Sequence, residues 1–331
     1  MLHGGDLGAF RAQFPNAPEP LVDLSTGINP NPYPLPPLSS ALFARLPDAA
    51  ATGHLAVVAA GYYGTPSAAY VVPAPGTQIL LPVVAALIPP GRAVILSPTY
   101  QEHARAARLA GHDVTETTAV AALAEADLAV VINPNSPDGN IDDRGTLLAL
   151  AEKLRARSGL LVIDEAFMDV APPALSLAGE VARGNLVVLR SFGKFFGLAG
   201  IRLGFALMEP RLAARLTAVL GPWAVSGPAL AVGTRALADR RWIAAARRDL
   251  VQAAARLGDI LTGAGLDVRG GTPLFRVVGT AAALALFSHL GRAGIFVRRF
   301  PEHPSWLRFG LPADAAAWDR LETAIARFRE R

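Results

Sequence analysis

The residue of this sequence with the clearest chemical potential is a lysine inside a glycine-rich loop. Lys194 lies in the stretch 191–204, SFGKFFGLAGIRLG, and it is one of only two lysines in the chain. A lysine amine can form an imine with an aldehyde, and glycines let the backbone approach a bulky ligand closely. Ser191 and Arg202 can both hold a phosphate, one by its hydroxyl and the other by a forked, charged contact. Together these residue types suggest a site for pyridoxal phosphate (PLP).

Two other interpretations of the lysine loop compete with this one. A Gly-Lys pair in a loop is more often a solvated turn. A phosphate-binding P-loop is the sharper alternative, but it needs Ser or Thr after Gly-Lys, and Phe195 stands there. The loop therefore needs support from the rest of the chain.

Further candidate residues come directly after predicted strands or at a predicted helix start. Asp164 follows the apolar run 161–163; its carboxylate can pair with a protonated pyridine nitrogen, or it is an ordinary helix-cap aspartate. Gly76 and Thr77 open an apolar helix, whose first amides can cradle a phosphate. Tyr100 can stack on an aromatic cofactor, or it is a half-buried core residue.

Composition limits the class of protein. The chain has 331 residues, 52% of them hydrophobic and 18% charged, so it can bury a large core and is not disordered. The absence of cysteine excludes thiol catalysis, and we expect no metal site. No apolar run reaches the roughly 20 residues that span a bilayer, and the start is not a secretory signal. We therefore expect a cytoplasmic protein without a membrane partner.

The formal charge of +4 comes from scattered arginines. A nucleic-acid-binding protein would show a basic stripe with aromatic residues interleaved. We therefore expect no nucleic-acid partner, whereas the mild positive charge favours an anionic small-molecule substrate.

The order of the predicted elements indicates an α/β fold. Apolar runs typical of buried strands alternate with helical patterns: strands at 70–72, 93–96, 128–132, 160–163, 186–189 and 203–208, and helices at 55–63, 77–88, 101–110 and 144–157. This predicts a mostly parallel central sheet, with ligands at the carboxyl ends of its strands. We expect an extended, proline-rich arm at 1–40 without a regular helix, a large PLP-binding domain at 41–210, and a smaller α+β domain at 211–331 that packs with the arm.

Taken in order, these residues resemble the aspartate-aminotransferase superfamily of PLP enzymes, fold type I, over nearly the whole chain. The resemblance implies that Lys194 is the Schiff-base lysine, that Asp164 faces the pyridine nitrogen and that Tyr100 stacks on the ring. It further implies that Ser191, Arg202 and the amides of Gly76 and Thr77 hold the cofactor phosphate. Related enzymes are homodimers, and we expect the same here.

Three stretches resemble one subfamily more closely: 3–5 (HGG), 97–103 (SPTYQEH) and 164–169 (DEAFMD). They look like the threonine-phosphate decarboxylases of cobalamin biosynthesis, which convert L-threonine O-3-phosphate into (R)-1-amino-2-propanol O-2-phosphate and carbon dioxide. The resemblance implies substrate contacts from His3, Gly4, Asn29 and Arg308, and a second anion contact from Arg298 or its neighbour. The alternative is an aminotransferase such as histidinol-phosphate aminotransferase. A non-catalytic PLP-binding protein is disfavoured by the intact lysine, aspartate and arginine.

The chain departs from the superfamily pattern at three positions. Ser136 stands where relatives carry the asparagine that donates to the cofactor's ring oxygen, and Asn135 is the other candidate for that contact. Phe167 replaces a common tyrosine. Leu46 replaces the tyrosine that reaches the partner subunit's cofactor phosphate, for which Tyr62 and Tyr63 are candidate substitutes.

Overall fold

The structure is a computed structural model that describes residues 4–329. The described chain divides into two compact units. Unit 1 takes in the described residues up to Pro32, the short segment Pro137–Gly139, and the chain from Ala244 onward. Unit 2 takes in Tyr33–Ser136 and Asn140–Ile243.

The α-helices of the described residues are α1 (Leu7–Gln13), α2 (Ala41–Ala44), α3 (Ala49–Tyr63), α4 (Thr77–Ala85), α5 (Glu102–Leu109), α6 (Arg144–Arg155), α7 (Phe192–Phe195), α8 (Pro210–Leu220), α9 (Gly227–Ala238), α10 (Arg240–Gly263), α11 (Ala283–Arg292) and α12 (Ala315–Arg329). The strands are β1 (Val22–Leu24), β2 (Val71–Ala74), β3 (Arg92–Leu96), β4 (Asp113–Thr117), β5 (Leu128–Ile132), β6 (Leu160–Asp164), β7 (Leu186–Ser191), β8 (Gly204–Leu207), β9 (Asp267–Thr272), β10 (Phe275–Gly279), β11 (Ile295–Arg299) and β12 (Trp306–Gly310).

Unit 2 is built on a seven-stranded sheet with the order β2-β8-β7-β6-β5-β3-β4. Strand β8 runs antiparallel to both neighbours, and the other adjacent pairs are parallel. The central strands β5 and β6 are buried along their whole length, as their continuous apolar sequences predict. The mostly parallel sheet of a fold type I enzyme is thus confirmed.

The strand register brings the predicted site residues to one edge of this sheet. Ala74, Gly204 and Ser191 lie side by side on three adjacent strands. Asp164, the last residue of β6, pairs with Leu189 of β7, two residues before Ser191. Because β8 runs antiparallel, its first residue lies level with the last residues of its neighbours, and the loops around them face one crevice.

Unit 1 contains a five-stranded sheet with the order β1-β11-β12-β10-β9, in which only β1 and β11 pair in parallel. The expectation that the first 40 residues contain no regular helix is wrong, because α1 precedes the first proline of the segment. Asp6 caps α1 by accepting a hydrogen bond from the amide of Ala9 at 2.9 Å, and Phe10 is buried.

The predicted elements differ from the structure in a few further places. Strands β4 and β9 have polar or glycine-containing sequences, DVTET and DVRGGT, and were not predicted. Helices α8 and α9, which follow the expected domain boundary near residue 210, lie in unit 2. Gly233 of α9 explains this placement, since a β-carbon there would meet the side chains of Leu203 and Leu55. No helix of the described residues is long and apolar enough to cross a membrane.

Candidate active site

Lys194 lies in the single-turn helix α7, directly after strand β7. Its Nζ lies 5.6 Å from the centre of the Phe167 ring, and Phe167 is buried. The neighbours Phe192, Phe195 and Phe196 are also fully buried. The lysine loop is therefore anchored in the core by its aromatic side chains, while Lys194 itself is half-buried. The buried aromatic residues hold the backbone at Lys194 in place, while the side-chain amine stays accessible to a ligand.

The predicted phosphate-binding residues come together at the N-terminus of α4. Gly76 caps this helix with a positive φ of 83°, and an added β-carbon would lie 2.5 Å from Nη2 of Arg202. A β-carbon on Gly204 would lie 2.7 Å from the amide nitrogen of Thr77. Ser191 pairs with Gly204 on the adjacent strand. The two glycines thus leave room for a guanidinium, a hydroxyl and helix amides around one anion.

Asp164 is buried at the end of β6 and is held by two hydrogen bonds. Its Oδ1 accepts from the amide of Ala166 at 3.0 Å, and its Oδ2 lies 2.8 Å from Nε2 of His103. His103 is also buried, on the first turn of α5. The histidine fixes the orientation of the carboxylate. His103 lies in the stretch 97–103, but its role has no local sequence signal, since 61 residues separate the pair.

Tyr100 lies just before α5, and the residue is 38% exposed. The ring makes an edge contact with the ring of His103, with 6.2 Å between the ring centres. A phenol ring that is partly open and placed beside the partner of Asp164 can cover one face of a planar cofactor.

The side chain of Asn135 supports the neighbouring loop. Its Oδ1 accepts from the hydroxyl of Thr99 at 2.6 Å, and its Nδ2 donates to the carbonyl of Pro98 at 2.9 Å. Because both ends of this amide hold the loop that leads to Tyr100, the geometry favours Ser136 over Asn135 as the donor to a cofactor ring oxygen.

A buried ion-pair cluster joins β7, which leads to Lys194, with the segment that begins at the end of β6, next to Asp164. Arg190 binds Glu165 at 2.7 Å and Asp169 at 2.5 Å, and its guanidinium lies 4.5 Å from the centre of the Tyr63 ring. Burial alone would lower the pKa of Arg190, but the two carboxylates more than offset this and raise it, so the residue stays charged. This cluster has no local sequence signal, although Glu165 directly follows Asp164 and Arg190 directly precedes Ser191 in the chain.

The departures from the superfamily pattern are visible in the same unit. Tyr63 is buried against Arg190, and the hydroxyl of Tyr62 donates to Asp169 at 2.9 Å. Both tyrosines therefore make contacts within this chain. These contacts disfavour Tyr62 and Tyr63 as substitutes for the tyrosine that relatives carry at the position of Leu46. Leu46 is 68% exposed.

The predicted substrate residues lie in unit 1. Arg308 is buried on β12, and its Nη2 donates to the carbonyl of Ser25 at 3.0 Å. Burial, together with the neighbouring Arg298, lowers the pKa of Arg308 to about 10, although Asp23 opposes the shift. Arg298 pairs with Arg308 across the β11–β12 ladder. Two guanidinium groups side by side form a site suited to an anion.

The other predicted substrate residues in the described chain, Gly4 and Asn29, lie against backbone groups of unit 1. The backbone of Gly4 lies close against the carbonyl of Ser25, whose hydroxyl accepts from the amide of Gly5 at 2.7 Å. Asn29 is buried, and its Oδ1 accepts from the amide of Asn31 at 2.9 Å. His3 lies outside the described residues.

The residues of unit 2 fit PLP chemically. They provide an amine for an aldehyde, a buried carboxylate for a pyridine nitrogen and an aromatic ring for stacking. They also provide a guanidinium, a hydroxyl and helix amides for a phosphate. The close packing at Gly76 and Gly204 decides the fit, since a β-carbon at either position would clash with a group of the proposed phosphate cradle, Nη2 of Arg202 or the amide of Thr77.

Comparisons with known proteins agree with this geometry. Threonine-phosphate decarboxylase from Sinorhizobium sp is 43% identical over 331 residues, covering 99% of this chain and 98% of the relative. The protein of the same name from Pseudomonas aeruginosa is 42% identical with the same coverage. Histidinol-phosphate aminotransferase from Sinorhizobium meliloti, solved in complex with pyridoxal-5'-phosphate, has the same fold, with a TM-score of 0.81. It is 23% identical, covering 98% of this chain and 94% of that one.

The family model described as aminotransferase class I and II matches residues 50–325. The match includes both the lysine loop and the phosphate cradle, so the PLP-dependent family expected from the sequence is confirmed. The chain belongs to the aminotransferase class I and II family.

Proposed function

We propose that this protein is a PLP-dependent decarboxylase of L-threonine O-3-phosphate that acts in cobalamin biosynthesis. The observation that carries the proposal is the 43% identity, over nearly the full length of both chains, to a relative named threonine-phosphate decarboxylase. In the reaction, the bond from Cα to the carboxylate breaks, carbon dioxide leaves, and a proton takes its place on Cα. The product is (R)-1-amino-2-propanol O-2-phosphate.

Bound PLP supplies an electron sink that weakens whichever Cα bond lies perpendicular to its ring. The residues of this chain decide which bond that is by orienting the substrate. We assign the substrate carboxylate to Arg308, and the remaining anion contacts to Arg298, Gly4, Asn29 and His3. Lys194 is the candidate to deliver the proton to Cα after carbon dioxide leaves.

The cofactor contacts follow the geometry of unit 2. Asp164, held by His103, would pair with the pyridine nitrogen of bound PLP, which favours its protonated form and electron withdrawal. Tyr100 would stack on the ring, and Ser136 would donate to the ring oxygen. The remaining contacts form the phosphate cradle, whose members are Gly76, Thr77, Ser191 and Arg202.

The test measures carbon dioxide release from two substrates, with and without a phosphate group, by the same protein preparation. Purified protein loaded with PLP should release carbon dioxide from L-threonine O-3-phosphate without added 2-oxoglutarate. L-threonine, which lacks the phosphate, should react far more slowly. Replacing Lys194 with alanine should abolish both turnover and the visible absorption of lysine-bound PLP. Carbon dioxide release by the Lys194→Ala variant at the wild-type rate would refute the role of this residue.

The alternative is an aminotransferase acting on histidinol phosphate, the reaction named for the Sinorhizobium meliloti structure. The same residues serve both reactions, because transamination breaks the Cα–hydrogen bond in place of the Cα–carboxylate bond. Amine transfer that depends on 2-oxoglutarate, with no carbon dioxide released, would favour this alternative.

We further propose that the protein is a cytoplasmic homodimer with small-molecule substrates. The exposure of Leu46, at the position where relatives reach the partner subunit, is compatible with this arrangement. Sedimentation of the PLP-loaded protein at twice the mass of one chain would support the dimer, and a single-chain mass would refute it.

A further inference from the structure

The hydroxyl of Tyr100 is tied to the first turn of α4 through a single amide side chain. Tyr100 donates to Oε1 of Gln78 at 2.9 Å, and Nε2 of Gln78 donates to Oε2 of Glu102 at 2.9 Å. Gln78 is the second residue of α4 and directly follows Thr77, whose amide belongs to the phosphate cradle. The proposed function gives Gln78 no role.

The surroundings of Gln78 fix which way its amide points. Glu102 is buried and also accepts from Nη1 of Arg105 at 3.1 Å. Because a carboxylate accepts hydrogen bonds, the NH₂ end of the amide must face Glu102. The carbonyl end must then face the tyrosine hydroxyl, which has a proton to donate. Both hydrogen bonds of Gln78 are therefore directional, and together they set the position of Tyr100.

The same link reaches the carboxylate of the site. Glu102 begins α5, and the next residue is His103, which holds Asp164. Gln78 thus connects α4, at the phosphate end of the cradle, with α5, which follows the stacking ring and carries the partner of Asp164. These groups contact different parts of one planar molecule, so their relative positions determine how that molecule lies.

We propose that Gln78 is a positioning residue for the cofactor, which fixes the ring of Tyr100 relative to the N-terminus of α4. The inference rests on the proposed PLP site and deepens it. Without the hydrogen bond to Gln78, the partly exposed ring of Tyr100 can rotate. The ring of bound PLP would then no longer be held at one angle to the protein. Gln78 acts through Tyr100 and Glu102 and has no contact of its own with substrate in this scheme.

The experiment compares Gln78→Leu, Tyr100→Phe and the double variant. PLP affinity is measured by titrating the cofactor-free proteins, and the tilt of the bound cofactor by circular dichroism in its visible band. Each single variant should raise the dissociation constant of PLP about three- to tenfold and weaken the dichroic band, as expected for loss of one or two hydrogen bonds. The double variant should be no worse than the weaker-binding single variant, because both changes break one connection.

Arg108→Gln is the matched control, since Arg108 lies on α5, the helix of Glu102 and His103, and makes an exposed 3.7 Å ion pair with Glu116. It should keep wild-type affinity and dichroism. Wild-type values in Gln78→Leu, or full additivity in the double variant, would overturn the inference. If Gln78→Leu does not fold, Tyr100→Phe decides alone, because it keeps the ring and removes only the hydroxyl. A wild-type protein that takes up no PLP would instead refute the proposed function.

Discussion

The histidine behind Asp164 is a single residue with a testable effect on the proposed chemistry. Both partners are buried, and 2.8 Å separates Nε2 of His103 from Oδ2 of Asp164. Replacing His103 with phenylalanine keeps an aromatic ring, larger than imidazole, at this buried position and removes the hydrogen bond to the carboxylate. We expect kcat to fall about ten- to hundredfold, since a hydrogen bond to a charged group contributes roughly 1.5–3 kcal/mol.

Absorbance spectra of the PLP-loaded variant test whether Asp164 has moved from the pyridine nitrogen. His54→Gln is the control, because His54 is exposed on α3. A His103→Phe enzyme with wild-type kcat and spectrum would show that Asp164 does not need this partner.

The burial of Arg308 predicts a trade-off between stability and substrate binding. Its pKa in the fold, about 10, still leaves the side chain charged at neutral pH. The unfolded chain binds the proton more tightly, so burying this charge costs stability below pH 10, and the cost is relieved as pH rises above that value. Arg308→Met should therefore raise the free energy of unfolding of the unliganded protein by about 1–3 kcal/mol.

The same variant should lower kcat/KM for threonine phosphate about 30-fold or more, because an anionic group loses its charged partner. Denaturant unfolding at neutral pH and steady-state kinetics measure the two effects separately. Arg292→Met, on the exposed side of α11, should change neither. An Arg308→Met protein that is less stable than wild type would contradict the argument.

At the level of elements, the phosphate cradle depends on the absence of a side chain at Gly76, the N-cap of helix α4. A β-carbon on Gly76 would lie 2.5 Å from Nη2 of Arg202, and φ at this residue is +83°. Gly76→Ala should therefore displace the guanidinium and strain the helix start, raising the PLP dissociation constant about tenfold or more. Gly61→Ala, within α3 and with open space around its α-carbon, is the matched control. It should bind PLP normally and be as stable as wild type or slightly more so.

Strand prediction succeeded where burial left a clear pattern and failed where it did not. Strands β5 and β6 are buried on both faces, so their sequences are continuous apolar runs. Strand β4 lies at the edge of its sheet, where one side has no strand neighbour, and its sequence is largely polar. Strand β9 is also an edge strand, and it contains two glycines. The hydrophobic pattern of the sequence therefore gives no signal for such edge strands.

The candidate site shows a similar limit. Lys194, Asp164 and the phosphate-cradle residues could be proposed from the sequence because each lies close to a strand end or a helix start, and the sheet brings those ends together. The partners His103 and Gln78 were not, since their roles depend on side-chain contacts across 61 and 22–24 residues. Asn135 and Ser136 were left as alternatives, and only the hydrogen bonds of Asn135 to Pro98 and Thr99 distinguish them.

For the whole molecule, the proposed site makes stability depend on the cofactor. A ligand that binds only the folded chain stabilises it by about 2.7 kcal/mol at one hundred times its dissociation constant. PLP should therefore raise the melting temperature of cofactor-free protein. The protection should be local, because the proposed contacts come from the ends of a few strands of one sheet. Amide hydrogen exchange should slow at 76–78, at the cradle end of α4, and at 192–198, within the lysine loop.

Strand β4 is the internal reference for this measurement, since it lies at the opposite end of the sheet order from β2 and has no proposed cofactor contact. Where β4 amides exchange by local opening, their exchange should be the same with and without PLP. Slowing of these locally exchanging β4 amides to the same extent as the proposed site would contradict local protection. Protection absent from both 76–78 and 192–198 would mean that the glycine start of α4 and the lysine loop do not hold the same ligand. In that case the chemistry assigned to Lys194 would lose its structural basis, whatever family the chain belongs to.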